Sequence, residues 1–94
     1  MIKHIVLFKI KASQDVARAV QALEGMRGKI AELLHLEVGT NFTESARSFD
    51  IALITHFADQ AALDAYQAHP AHQPVIALMR EIAEKSVLVD FLAS

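Results

Sequence analysis

Cysteine and tryptophan are both missing from this chain, and tyrosine occurs once. Without a thiol there is no disulfide, no thiolate nucleophile and no sulfur ligand for a metal. Glycine and proline are scarce as well, with three and two residues. Gly25, Gly28 and Gly39 stand apart from one another, so no glycine-rich phosphate loop is present. Strong charge of either sign is also lacking, the net charge being −2 at pH 7. A nucleic-acid backbone requires a basic face, so no nucleic-acid partner is expected. Near the start the only unbroken apolar run is Ile5 to Phe8, too short for a signal peptide or a membrane span. The expected compartment is therefore the cytoplasm, with no membrane partner.

Apolar residues are what the chain has in plenty: 53% are hydrophobic, and the mean hydropathy is +0.29. A chain of 94 residues has room for one core, so residues 1–94 are read as a single domain. So small a domain has much surface and little interior. Part of its apolar surface is expected to face another subunit.

Period-2 alternation marks four strands. From Ile2 to Lys11 the even positions are apolar apart from His4, while the odd ones set Ile5 and Leu7 between lysines. Leu34 to Asn41 alternates Leu34, Leu36 and Val38 with His35, Glu37 and Gly39. Phe49 to Phe57 sets Phe49, Ile51, Leu53, Thr55 and Phe57 against Asp50, Ala52, Ile54 and His56. Lys85 to Phe91 carries Val87, Val89 and Phe91 on one face and Leu88 and Asp90 on the other. Ser13 is the expected N-cap of a first helix that buries Val16, Val20 and Leu23. Asp59 should cap a second helix, with Leu63 and Tyr66 toward the sheet, and Pro70 should end it. A last helix carries Val75, Ile76, Met79, Ile82 and Ala83, with Pro74 tolerated in its first turn. The order β-α-β-β-α-β is the ferredoxin-like α+β arrangement: an antiparallel four-stranded sheet with helices on one face and the second helical region split. The other face of such a sheet should be polar. Ile5, Leu7, Ala52 and Ile54 make it apolar instead, which predicts a homodimer formed through it.

One cluster is equipped for chemistry: Tyr66, His69 and His72, gathered around Pro70. An imidazole titrates near neutrality and can take and return a proton, so His72 is the candidate base. The Tyr66 hydroxyl is the candidate donor to a developing oxyanion. Read structurally, His72 satisfies loose backbone groups at a helix start and Tyr66 is a core ring. His69 is a turn former. The His69 and His72 spacing imitates a metal pair, but no Asp, Glu or Cys nearby completes a ligand set, so no metal is expected. No organic cofactor is expected either. His35 and His56 fall on the opposite phase, toward the surface or a subunit interface. Phe8, Phe49, Phe57 and Phe91 are most simply core.

Laid out in this way, the chain resembles the stress-responsive A/B barrel domain family over nearly its whole length. The likeness rests on Ile2-Lys3-His4-Ile5-Val6-Leu7-Phe8-Lys9, on Val38-Gly39-Thr40-Asn41 and on the Asp50-to-Phe57 strand. Above all it rests on Tyr66-Gln67-Ala68-His69-Pro70-Ala71-His72, with Asp90-Phe91 also fitting. The resemblance implies a dimeric α+β barrel in which two sheets meet face to face. Some plant members are stress proteins without assigned chemistry. Another closes a polyketide by aldol condensation without metal or cofactor. By the matching motif its catalytic histidine and tyrosine fall on His72 and Tyr66, and a further pocket histidine falls on His4. His4, Phe8, Leu53 and Phe57 are then expected to contact substrate. That cyclase lines its pocket with aromatic rings on the first and last helices, where this chain offers Leu23, Met26 and Ala83. Two functions remain open at this stage. One is a cofactor-independent acid-base enzyme of cyclase, lyase or isomerase type, acting on a small, partly apolar carbonyl compound. The other is a non-catalytic stress or small-ligand-binding dimer.

Overall fold

Four strands and three helices form in the computed structural model, which describes residues 1–94. They are β1 (Ile2–Ile10), α1 (Val16–Glu24), β2 (His35–Thr40), β3 (Ile51–Phe57), α2 (Gln60–Ala68), α3 (Gln73–Ile82) and β4 (Ala83–Leu92). The strands lie in the order β2-β3-β1-β4, every neighbour antiparallel, as the ferredoxin-like arrangement requires. The helices cover the face that carries His4, Val6, Phe8, Leu53, Thr55 and Phe57, all of them buried. Against it α1 brings Ala19 and Leu23, α2 brings Leu63 and Tyr66, and α3 brings Val75, Met79 and Ile82. Thr55 is satisfied in this core because its hydroxyl donates to the His4 carbonyl oxygen at 3.2 Å. That bond ties β3 to β1 beneath the site.

The opposite face has no cover. Antiparallel partners share a face, so the register assigns its rows directly. Ile5 lies between Ile54 and Val89, and Leu7 between Ala52 and Val87. Leu7 is 37% exposed and Val89 52%. His35 and His56 stack on this same face with ring centroids 4.4 Å apart, as their phase predicted.

Several local expectations are corrected. Ser13 makes no side-chain cap; Ser13–Asp15 is a 3-10 turn closed by Asp15 N–H on the Ala12 carbonyl, and α1 begins at Val16. The third strand starts at Ile51 rather than Phe49, because Asp50 turns its carboxylate to the Ile10 N–H at 2.7 Å. Leu34 precedes β2 and stays exposed. Ala83 belongs to β4 rather than α3: it pairs with Ile10, so helix passes into strand with no loop between.

The Asp59 cap forms as expected. Its carboxylate accepts from the Ala62 N–H at 2.9 Å, supplying one of the free donors of the first turn of α2. Replacing Asp59 with Ala should cost about 1 kcal/mol. Chemical denaturation at fixed protein concentration reads this directly, and an unchanged midpoint would show that the cap contributes nothing.

Candidate active site

The break at Pro70 builds the site. After Ala68 the chain leaves the helix at His69, and the His69 ring nitrogen Nδ1 accepts from the Ala71 N–H at 3.0 Å, making the turn the sequence foresaw. His72 N–H then bonds the His69 carbonyl at 3.0 Å, and the Gln73 side chain donates to the Gln67 and His69 carbonyls. These bonds return the chain across the end of α2, and His72 becomes the N-cap of α3. The imidazole comes to rest on the Tyr66 ring, with centroids 4.1 Å apart and planes 24° from parallel.

The His72 tautomer follows from its partner. Nδ1 lies 3.1 Å from the Tyr66 carbonyl oxygen, which can only accept, so Nδ1 carries the proton. The lone pair of neutral His72 is therefore on Nε2. Burial pushes its pKa below the usual value, with His4 and His69 acting in the same direction and the Tyr66 carbonyl against it. A group held neutral in this way stabilises the fold fully above its unfolded pKa, near 6.5, and less as pH falls through the lowered folded value. Unfolding midpoints should therefore drop on acidification below about 6.5. His72→Gln, which keeps a donor for the Tyr66 carbonyl, should flatten that drop. A wild-type and variant pair with parallel pH profiles would contradict it.

Tyr66 is fully buried, at 0% exposure, and its hydroxyl is the one buried side-chain polar atom without a hydrogen-bond partner. Burial pushes its pKa up to about 12, so the hydroxyl keeps its proton and acts only as a neutral donor. An unsatisfied buried hydroxyl costs about 1–3 kcal/mol. A donor kept at that cost is suited to an acceptor supplied by a ligand. Phe57 lies behind, its centroid 4.9 Å from the Tyr66 ring, and fixes that ring in place.

His4 enters from β1, its ring edge toward Tyr66 at a centroid distance of 6.2 Å. Nδ1 of His4 donates to the Asp90 carboxylate, brought opposite it by the β1–β4 register. Asp90 was not foreseen as a partner of His4, and no group of three or more His, Cys, Asp or Glu gathers as metal ligands. With Nδ1 so engaged, Nε2 of His4 is left free, as it is in His72.

These residues line one cleft of about 450 Å³ between the sheet and α2–α3. His4, Phe8, Leu53, Tyr66 and His72 all line it, but Phe57 does not, being sealed behind Tyr66. Of the positions that stand for aromatic rings in the plant cyclase, Ala83 is on the wall, whereas Leu23 and Met26 are buried in the core. Sequence reasoning missed Asp90 as a partner of His4, together with Ile76, Met79 and Arg80 on the α3 side. The available signal for Asp90 was its phase, since it shares a strand face with Leu88.

Fold and cleft together define a ferredoxin-like domain with two imidazoles and a phenol lining one recess. The chain belongs to the stress responsive A/B barrel domain family, whose model matches residues 2–93. An uncharacterized protein of Streptomyces coelicolor is 36% identical over 88 residues, spanning 88% of this chain and 91% of the relative. A dimeric ferredoxin-like protein of unknown function from Thermobifida fusca superposes with a TM-score of 0.87 at 26% identity, over 98% of this chain and 90% of that one. Hydroxynitrile lyase from Passiflora edulis shares the fold with a TM-score of 0.85 at 16% identity, over 99% and 93% of the two chains. No helix of the structure is long and apolar enough to cross a membrane.

Proposed function

We propose that the chain is a homodimeric, cofactor-independent acid-base enzyme of cyclase, lyase or isomerase type, acting on a small, partly apolar carbonyl compound. The observation that carries this reading is that His72, its Nδ1 bonded to the Tyr66 carbonyl and its Nε2 free, and Tyr66, with its partnerless hydroxyl, line one cleft. In the reaction His72 Nε2 takes a proton from the carbon beside the carbonyl. The C–H electron pair moves into the carbon framework and the negative charge develops on oxygen. The Tyr66 O–H donates to that oxyanion and retains its own proton. The His72 imidazolium then returns its proton to the product. His4, braced by Asp90, presents a second nitrogen to the same space. The residues supply both acid and base, so the proposed chemistry requires no metal or organic cofactor.

Dimerisation is supported by the uncovered apolar face of Ile5, Leu7, Ala52, Ile54, Val87 and Val89, since monomers rarely expose so continuous a patch. Solved relatives of the same fold from Thermobifida fusca and Bacteroides fragilis, at 26% and 27% identity, are described as dimeric. The test of function is α-proton exchange of 2-octanone in deuterated buffer, followed by NMR. Exchange well above that of an equal concentration of free imidazole is expected. Binding without exchange would overturn the catalytic reading and favour a small-ligand-binding dimer.

A further inference from the structure

The wall that α3 gives to the cleft is a single stripe, His72 at its N-cap, then Ile76, Met79 and Arg80, with Ala83 following at the start of β4. At about 1.5 Å rise per residue, the eight positions from His72 to Arg80 separate their backbones by about 12 Å along the helix. The cleft thus has a proton-transfer end and a cationic end, with Ile76, Met79 and Leu88 between them. Gln67 and Ser86 also line the cleft, but the α3 side between its two ends, Ile76 and Met79, is apolar and suits a chain of methylenes. At the mouth stand Arg80, Glu84 and Lys85. None of the three is in an ion pair: the pairs formed are His4–Asp90, Arg18–Asp15, Arg27–Glu24 and His35–Glu37. Arg80 and Lys85 against Glu84 leave one net positive charge at this end, and Arg80 is its contribution from α3. A guanidinium presents a planar fork matched to a carboxylate.

We infer that the substrate is an elongated oxo acid: a carbonyl at the His72–Tyr66 end, an apolar chain along α3, and a carboxylate held by Arg80. This rests on the proton-transfer reading above and adds the class of compound. In the bland alternative Arg80 merely complements the C-terminal dipole of α3 and touches no ligand.

The test compares 7-oxooctanoate with 2-octanone, which share a methyl ketone and differ chiefly in the terminal carboxylate. Wild-type protein is expected to exchange the acid with a KM about tenfold lower than the ketone, equivalent to about 1.4 kcal/mol. In Arg80→Gln that preference should collapse toward unity, and Arg80→Lys should restore part of it. Equal KM values in the wild type, or a preference that survives Arg80→Gln, would overturn the assignment. Titration calorimetry of 7-oxooctanoate and 2-octanone reads the same preference as Kd. If neither compound exchanges but the acid still binds tighter through Arg80, the catalytic reading fails and the ligand class stands. If exchange occurs without the preference, the ligand class fails alone.

Discussion

His72→Ala is expected to lose about 100- to 10,000-fold of α-proton exchange while remaining folded, the usual worth of a positioned general base. The variant should fold because the Tyr66 carbonyl keeps a second donor, the His69 N–H at 3.2 Å. Circular dichroism and an unfolding midpoint close to wild type establish that point before the rate is read. Tyr66→Phe is the sharper companion. It leaves the ring stacked on His72 and packed on Phe57, and removes only the partnerless hydroxyl. The free protein should therefore be as stable as wild type or gain about 1 kcal/mol, since an unsatisfied buried group is relieved. Exchange should nevertheless fall steeply, because the oxyanion loses its donor. A gain in stability together with a loss in rate is the signature of a group held for a ligand. Loss of stability without loss of rate would mark Tyr66 as a core ring only.

Leu7→Glu should convert the dimer to monomer or unfold the chain. Leu7 sits at the centre of the uncovered face, flanked across the sheet by Ala52 and Val87. Burying a leucine against a partner contributes roughly 1.5–3 kcal/mol. An unpaired carboxylate in the same place costs several kcal/mol in each subunit. By light scattering at micromolar concentration, wild type should show twice the 10.3 kDa chain mass, and Leu7→Glu should not. Arg18→Glu, exposed on α1, is the control and should stay dimeric. A wild-type mass of 10.3 kDa would remove the dimer from the account.

Much of this architecture was legible because it is written locally. Alternation in β1 and β3 gave the sheet and its two faces, and the Asp59 cap and Pro70 break bounded α2. Tyr66 and His72 could be brought together because a helix stripe, a broken turn and a short return are all local events. Cross-strand register is not local. His4 and Asp90 lie 86 positions apart, and only the β1–β4 pairing makes them neighbours. Boundaries failed where a residue suits two structures. Ala83 continues the α3 pattern and also opens β4, and what decided it was pairing with Ile10. Phe57 and Phe8 share a sheet face in sequence terms, yet Tyr66 closes over the first and leaves the second on the cleft. Arg80 looks like any exposed helix cation until β4 folds alongside it.

The most direct measurement of the central claim is the protonation of the His72 imidazole, read from two-bond proton–nitrogen correlations across the pH range. A base poised in this cleft must be neutral at pH 7, with its proton on Nδ1 and a bare Nε2, titrating below the usual histidine value. Addition of 7-oxooctanoate should shift the Nε2 resonance and leave Nδ1 bonded to the Tyr66 carbonyl. A His72 that is already charged at pH 7, or whose proton sits on Nε2, would contradict the account, because Nε2 would then have no lone pair to take a proton.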